Sequence, residues 1–223
     1  MKHIFILLCL LIVAGCSSSS NRHVVYMTDA SLQTRLTKIH AKQGDPMFIR
    51  IFKEERMLEV WYAKKNGKYQ QFTNYPICYY SGPLGPKQRQ GDKVSPEGFY
   101  NVARGALNPR SQYHRSFNLG FPNQYDRFKG YTGDYLMVHG SCVSVGCYAM
   151  TDVQMDEIYR LVESSLKNGQ STGPVHVFPF RMTEERLNRE KSSPHYAFWL
   201  ELKEGYDYCQ RYKRVPNIGV TNG

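Results

Sequence analysis

Residues 47–72, MFIRIFKEERMLEVWYAKKNGKYQQF, follow a period of two and are broken twice, at Lys53 to Arg56 and at Asn66-Gly67. A period of two sends alternate side chains to opposite faces of an extended strand, and Asn-Gly favours the tight turn of a hairpin. The stretch predicts strand, turn, strand, turn, strand. A meander of this kind commits the chain to a sheet-based core.

The neighbouring segments fit that frame. SLQTRLTKIHAK, 31–42, places Leu32, Leu36 and Ile39 at helical spacing and predicts a short amphipathic helix leading into the domain. SGPLGPKQRQGDKVSPEG, 81–98, is rich in Gly, Pro and charge and reads as a long loop of the kind that carries function. FYNVA resumes strand, 107–133 reads as a second long, aromatic and polar loop, and DYLMVHG is a buried-strand signal ending at His139. Thr151 and Gln154 have capping-box spacing, and Met155, Ile158, Leu161, Val162 and Leu166 mark one face of a helix that closes near Gly169. PVHVFPF is again a strand. From Met182 onward charge alternates with aromatics, which predicts a helical tail folded back on the domain. The expected fold class is mainly β with peripheral helices.

The first fifteen residues, MKHIFILLCLLIVAG, combine Lys2, an apolar run from Ile4 to Val13 and a small-residue exit, the layout of a secretory signal. The run is shorter than the ~20 apolar residues a spanning helix needs. Val13-Ala14-Gly15-Cys16 resembles the lipobox of bacterial lipoproteins. That resemblance implies lipidation of Cys16, a mature chain starting there, and, with Ser17 following, anchoring to the outer membrane on its periplasmic side. Ser17 to Ser20 supply a flexible tether. The expected organisation is a signal at 1–15, a lipidated tether at 16–30, a helix at 31–43, a catalytic domain at 44–185 and a packed tail at 186–223. The net charge of +10 at pH 7 falls by one, to +9, once Lys2 leaves, an excess that suits an anionic polymer such as a cell wall. Lys and Arg are scattered instead of massed on one helix, which argues against nucleic acid as a partner.

HGSCVSVGC, 139–147, holds one histidine and two cysteines in nine positions. A structural zinc would draw on His139, Cys142 and Cys147, but such sites favour paired cysteines and no C-x2-C occurs; position 141 is serine, which also breaks the deaminase signature. A disulfide between Cys142 and Cys147 would close a strained four-residue loop. A thiol nucleophile fits best: His139 ends a strand, while Cys147 follows Gly146 just ahead of a helix start, where backbone N–H groups can hold an oxyanion. On the residues alone the three readings stay open.

HG-x3-S-x-G-C, with SPEGFYNV some forty residues earlier, resembles the catalytic signature of the L,D-transpeptidase (YkuD) family, whose members crosslink bacterial peptidoglycan. YPICYYSGPLGPKQRQGD, NPRSQYHRSFNLGFPNQYDR, HGSCVSVGCYAMTD and VHVFPFRMT extend the resemblance to the family's YafK-like branch over approximately residues 45–185. The resemblance implies a YkuD-like β-sandwich. It makes Cys147 the nucleophile and His139 its base, with the Gly140 carbonyl orienting the imidazole, amides around Gly146 and Cys147 forming the oxyanion hole, and Ser144 bracing the loop or touching substrate. The implied substrate is the peptidoglycan stem peptide, attacked at meso-diaminopimelate; a crosslink results if an amine accepts the acyl group and hydrolysis if water does. The YafK-like branch is associated with release of an outer-membrane lipoprotein linked through its terminal lysine.

Two positions depart from the broader pattern: Val145 stands where many members have histidine, and Ala149 where they have arginine. Lys87, Arg89, His114, Arg115 and Arg127, in the two long loops, are the candidates to supply the missing charge at substrate. Of the remaining thiols, Cys78 and Cys142 flank the predicted catalytic strands and are the expected disulfide, with Cys209 left in the tail. A wall-binding protein without catalysis would not require a thiol, and papain-like or NlpC-type peptidases place cysteine ahead of histidine. No cofactor is implied except by the metal reading.

Overall fold

β1 (Met47–Phe52), β2 (Met57–Ala63) and β3 (Tyr69–Pro76) form the antiparallel meander that the alternating segment predicts, in a computed structural model that describes residues 29–220. The expectations for 1–28, the signal, Cys16 and most of the tether, lie outside the described residues. β4 (Gly98–Ala103) and β9 (Thr172–Phe178) complete a five-stranded sheet in the order β3-β2-β1-β9-β4, with β9 parallel to β1 and antiparallel to β4.

A second sheet has the order β5-β6-β7-β8: β5 (Leu107–Ser111), β6 (His114–Asn118), β7 (Met137–His139) and β8 (Tyr148–Ala149). Residues 107–133 are therefore not one long loop but a hairpin followed by a helical turn, α2 (Gln124–Phe128), held by a reciprocal capping box between Asn123 and Asp126. The strands hide in the sequence because LNPRS buries no side chain and HRSFN buries only Ser116 and Phe117.

α1 (Asp29–Thr37) begins two residues inside the expected tether and drives Leu32 and Leu36 fully into the core. α3 (Asp152–Lys167) starts at the Thr151–Gln154 capping box, and its stripe of Met155, Ile158, Leu161, Val162 and Leu166 packs into the main core.

The tail forms α4 (Glu184–Asn188) and α5 (Tyr196–Tyr212). Trp199, Leu202 and Tyr206 of α5 pack with Phe52, Phe178 and Phe180 on the outer face of the first sheet. All six residues of β1 are consequently buried: Ile49 and Ile51 face the main core, Phe48, Arg50 and Phe52 face the tail. Lys53 belongs to this buried set although it begins a predicted turn. Its ammonium meets the Glu97 carboxylate at 2.9 Å and three backbone carbonyls, and Glu97 also accepts from the Gly85 amide and the Trp199 indole. One buried ion pair thus ties the first sheet, the 81–98 loop and α5 together.

Candidate active site

β7 and β8 run parallel, with Val138 opposite Tyr148 and His139 opposite Ala149. Val138 and Tyr148 enter the core. Successive side chains alternate faces, so His139 and Cys147, which flank them, turn to the other side together. The Met137 amide donates to Cys147 Sγ at 3.3 Å, and the thiol donates to the Tyr135 carbonyl at 3.4 Å. Both side chains are buried, at 2 % and 8 % exposure.

His139 Nδ1 lies 2.7 Å from the Gly140 carbonyl. A carbonyl only accepts, so Nδ1 carries the proton and the lone pair of the neutral ring is on Nε2. Burial lowers the imidazole's proton affinity, opposed by that carbonyl. Burial also raises the Cys147 pKa, opposed by the Met137 amide, Ser144 and the charge of Lys87.

Gly140 is fixed by space: a Cβ would meet Asp152 Oδ1 at 2.6 Å and His114 Cβ at 2.9 Å. Asp152 accepts from the Ser141 amide, and Cys142 is disulfide-bonded to Cys78 with the Cα atoms 5.2 Å apart, the expected pairing. Gly146 has φ +91, a conformation glycine adopts without penalty. Three hydroxyls brace this turn: Ser144 Oγ accepts from the Cys147 amide, Ser81 Oγ from the Gly146 amide, and Ser95 Oγ donates to the Cys147 carbonyl. The amides expected to hold an oxyanion are therefore already engaged by Ser144 and Ser81.

Residues 46–177, from before β1 almost to the end of β9, match the L,D-transpeptidase catalytic domain, YkuD. The chain belongs to the L,D-transpeptidase family. It carries the catalytic domain of a peptidoglycan-modifying enzyme, in a family that acts on peptidoglycan peptides. It is 46% identical over 225 residues to YafK of Escherichia coli (strain K12), named among the L,D-transpeptidases, covering 100% of this chain and 89% of the relative. Among solved structures, it is similar to the helical cell shape determining protein Pgp2 from Campylobacter jejuni, at 22% identity and a TM-score of 0.48, over 70% of this chain and 56% of that one. It is also similar to Mycobacterium tuberculosis L,D-transpeptidase 1, at 13% identity and a TM-score of 0.33, over 61% of this chain and 64% of that one.

The L,D-transpeptidase motif residues His139, Gly140, Ser144, Gly146 and Cys147 are gathered in one loop. The expected substrate cations are not gathered with them. Lys87 is 3 % exposed, paired with Asp92 at 2.5 Å and bonded to the Arg89 carbonyl, and its charge acts on Cys147. His114 and Arg115 both reach Asp156, at 2.8 and 3.0 Å, while the Cβ of His114 and the carbonyls of Tyr113 and Arg115 pack beside Gly140. Arg127 donates to the Pro122 carbonyl at the start of its own helical turn. Ala149 is buried, and its backbone is clamped by that of Tyr79. Among the described residues no cluster of three or more His, Cys, Asp or Glu could hold a metal ion.

Ser81, Ser95, Asp152 and Tyr113, whose ring lies 4.8 Å from that of His139, are site residues the sequence reading did not single out. Ser81 and Ser95 do stand at the two ends of the loop read as functional.

Proposed function

We propose that this L,D-transpeptidase homologue is a periplasmic cysteine amidase that cuts the link between meso-diaminopimelate of peptidoglycan and the lysine of an outer-membrane lipoprotein. The observation that carries the reading is the pairing of β7 with β8, which turns the side chains of Cys147 and His139 to one side. Cys147 sulfur forms a bond to the L-centre carbonyl of diaminopimelate while His139 takes the thiol proton. Collapse of the tetrahedral adduct breaks the amide C–N bond, and the proton passes from His139 to the departing lysine amine. Water then attacks the thioester, giving its proton through His139 back to the thiolate and leaving a free carboxyl on the wall peptide. The acyl oxygen takes the Gly146 and Cys147 amides from the hydroxyls of Ser81 and Ser144.

Hydrolysis is favoured over transfer because Ala149 is sealed under the Tyr79 backbone, where crosslinking relatives place arginine. The alternative, crosslink formation or lipoprotein attachment, uses the same thioester with an amine acceptor. Mass spectrometry of products from a soluble form lacking residues 1–16 separates the two: lysine-terminated peptide released from lipoprotein-linked muropeptides supports the amidase, whereas diaminopimelate-to-diaminopimelate crosslinks from tetrapeptide donors without such release support transfer.

Lipidation of Cys16 places the amidase where wall-linked lipoproteins are rooted. Cys16→Ser moves it from the membrane fraction to the soluble periplasm; unchanged membrane association overturns the anchor.

A further inference from the structure

The peptide bond between Gly140 and Ser141 has two polar groups, and both are engaged. Its carbonyl meets His139 Nδ1 at 2.7 Å, and its N–H donates to Asp152 Oδ1, also at 2.7 Å. One planar amide therefore stands between an imidazole and a carboxylate. The preceding peptide is pinned as well: the His139 carbonyl accepts from the Met150 amide at 2.7 Å, and the Gly140 N–H donates to the carbonyls of Tyr113 and Arg115 at 3.0 and 3.2 Å. Among the groups that hold these two peptides from outside, Asp152 is the side chain and the charge; the others are backbone.

Asp152 is the first residue of α3, directly after the cap Thr151, a place where a carboxylate suits the helix end. That alone would explain an acidic residue here. It does not explain the bond to Ser141, nor the fit at Gly140, where a Cβ would meet Asp152 Oδ1 at 2.6 Å. The chain also turns through φ +65 at Ser141 and +54 at Cys142, conformations that cost a residue with a side chain and that the bond to Asp152 helps to hold.

A carboxylate on the N–H of an amide pushes electron density toward its carbonyl oxygen, because linked hydrogen bonds polarise one another. A stronger acceptor holds Nδ1–H more firmly and makes Nε2 more basic, the task a carboxylate performs directly in a Ser-His-Asp triad. The other ionisable groups around the ring are Cys147, Tyr113 at 4.8 Å between the rings, and Lys87, whose ammonium is bonded to Asp92; His114 and Arg115 are paired with Asp156.

We propose that Asp152 is a positioning residue for His139, acting through the Gly140–Ser141 peptide to orient the imidazole and strengthen it as a base. This rests on the reading of His139 as the base for Cys147 given above. Asp152 is exposed and its charge is screened, so its removal should cost far less than the ~10⁴-fold of a buried triad aspartate.

Two variants test it. Asp152→Asn keeps an oxygen for the Ser141 N–H and removes the charge; Asp152→Ala removes both. Nuclear magnetic resonance of the His139 ring needs no substrate: in both variants the titration midpoint falls below that of the wild-type chain, since the imidazolium loses support, and the Nδ1–H signal moves upfield as its hydrogen bond weakens. On lipoprotein-linked muropeptides the acid limb of kcat/KM moves down with the midpoint, and kcat falls about tenfold in Asp152→Ala and less in Asp152→Asn, with KM unchanged. A role confined to the start of α3 would lower the thermal midpoint of unfolding without moving either ring signal, and that result overturns the proposal. So does a titration midpoint that moves while the Nδ1–H signal stays, which would make the effect one of charge through space. If Asp152→Ala does not fold, Asp152→Asn decides by the same criteria. Full turnover in His139→Ala overturns the base reading and the proposal with it, whereas shifted ring signals in a wild-type chain that cleaves no lipoprotein-linked muropeptide overturn the amidase reading alone.

Discussion

The Met137 amide donates to Cys147 Sγ at 3.3 Å across the parallel pair of β7 and β8. That contact exists because a strand two residues upstream of His139 presents an N–H toward the neighbouring chain just where Cys147 enters it. In the proposed reaction the same N–H would meet a thiolate as the proton leaves, and hydrogen bonds to charged groups are the stronger kind.

Removal of either group of the proposed nucleophile–base pair should be near-total in effect. Cys147→Ala and His139→Ala are each expected to lower turnover by at least about 10³-fold, as loss of a nucleophile or its base does in other acyl-transfer enzymes. Product release by mass spectrometry checks the rate and far-ultraviolet circular dichroism the fold. Cys209→Ala, whose thiol is buried against Phe48 and Trp61, is expected to stay within about twofold of wild type because it touches no reacting group.

The pH dependence follows from burial. In the proposed mechanism His139 acts as base in its neutral form, and its pKa is lowered by burial, so activity should persist below the ordinary histidine value and fall only as pH drops through the lower one. Cys147 is shifted the other way, so its alkylation by iodoacetamide should rise with pH to a midpoint above that of an ordinary cysteine. A midpoint near or below neutrality would mean a preformed thiolate–imidazolium pair and contradict this account.

The disulfide spans a sequence separation of 64, for which loop-closure entropy gives roughly 4 kcal/mol of stabilisation. Cys78→Ser, Cys142→Ser should therefore lower the unfolding free energy by about that amount in urea titrations. Non-reducing peptide mapping should recover the Cys78 and Cys142 peptides linked.

Breaking the Lys53–Glu97 pair should be costly. Both side chains have no exposed surface, and loss of one partner strands a buried charge, which costs about 3–5 kcal/mol. Lys53→Met is expected to show this as a lowered thermal midpoint, together with easier proteolysis of α5, because Glu97 also holds the Trp199 indole.

What the sequence disclosed and what it hid divide along physical lines. β1 to β3, α3 and β9 were legible because local alternation and a capping box belong to contiguous residues. β5, β6 and α2 were not, since their polar, largely exposed residues look like loop. The HGSCVSVGC turn stood out as a nonapeptide, yet its bracing by Ser81 and Ser95 joins residues 65 and 52 positions apart, which no local pattern records. Lys53 read as a turn residue for the same reason: its partner Glu97 lies 44 positions on.

The central claim, a thioester on Cys147, is tested most directly by intact-mass analysis of the soluble enzyme, acid-quenched during turnover of lipoprotein-linked muropeptides. The account predicts a mass gain equal to the muropeptide acyl group, mapped to the peptide containing Cys147 and absent in Cys147→Ala. Product accumulation with no adduct at any time point, or an adduct mapped to Cys209, would contradict it.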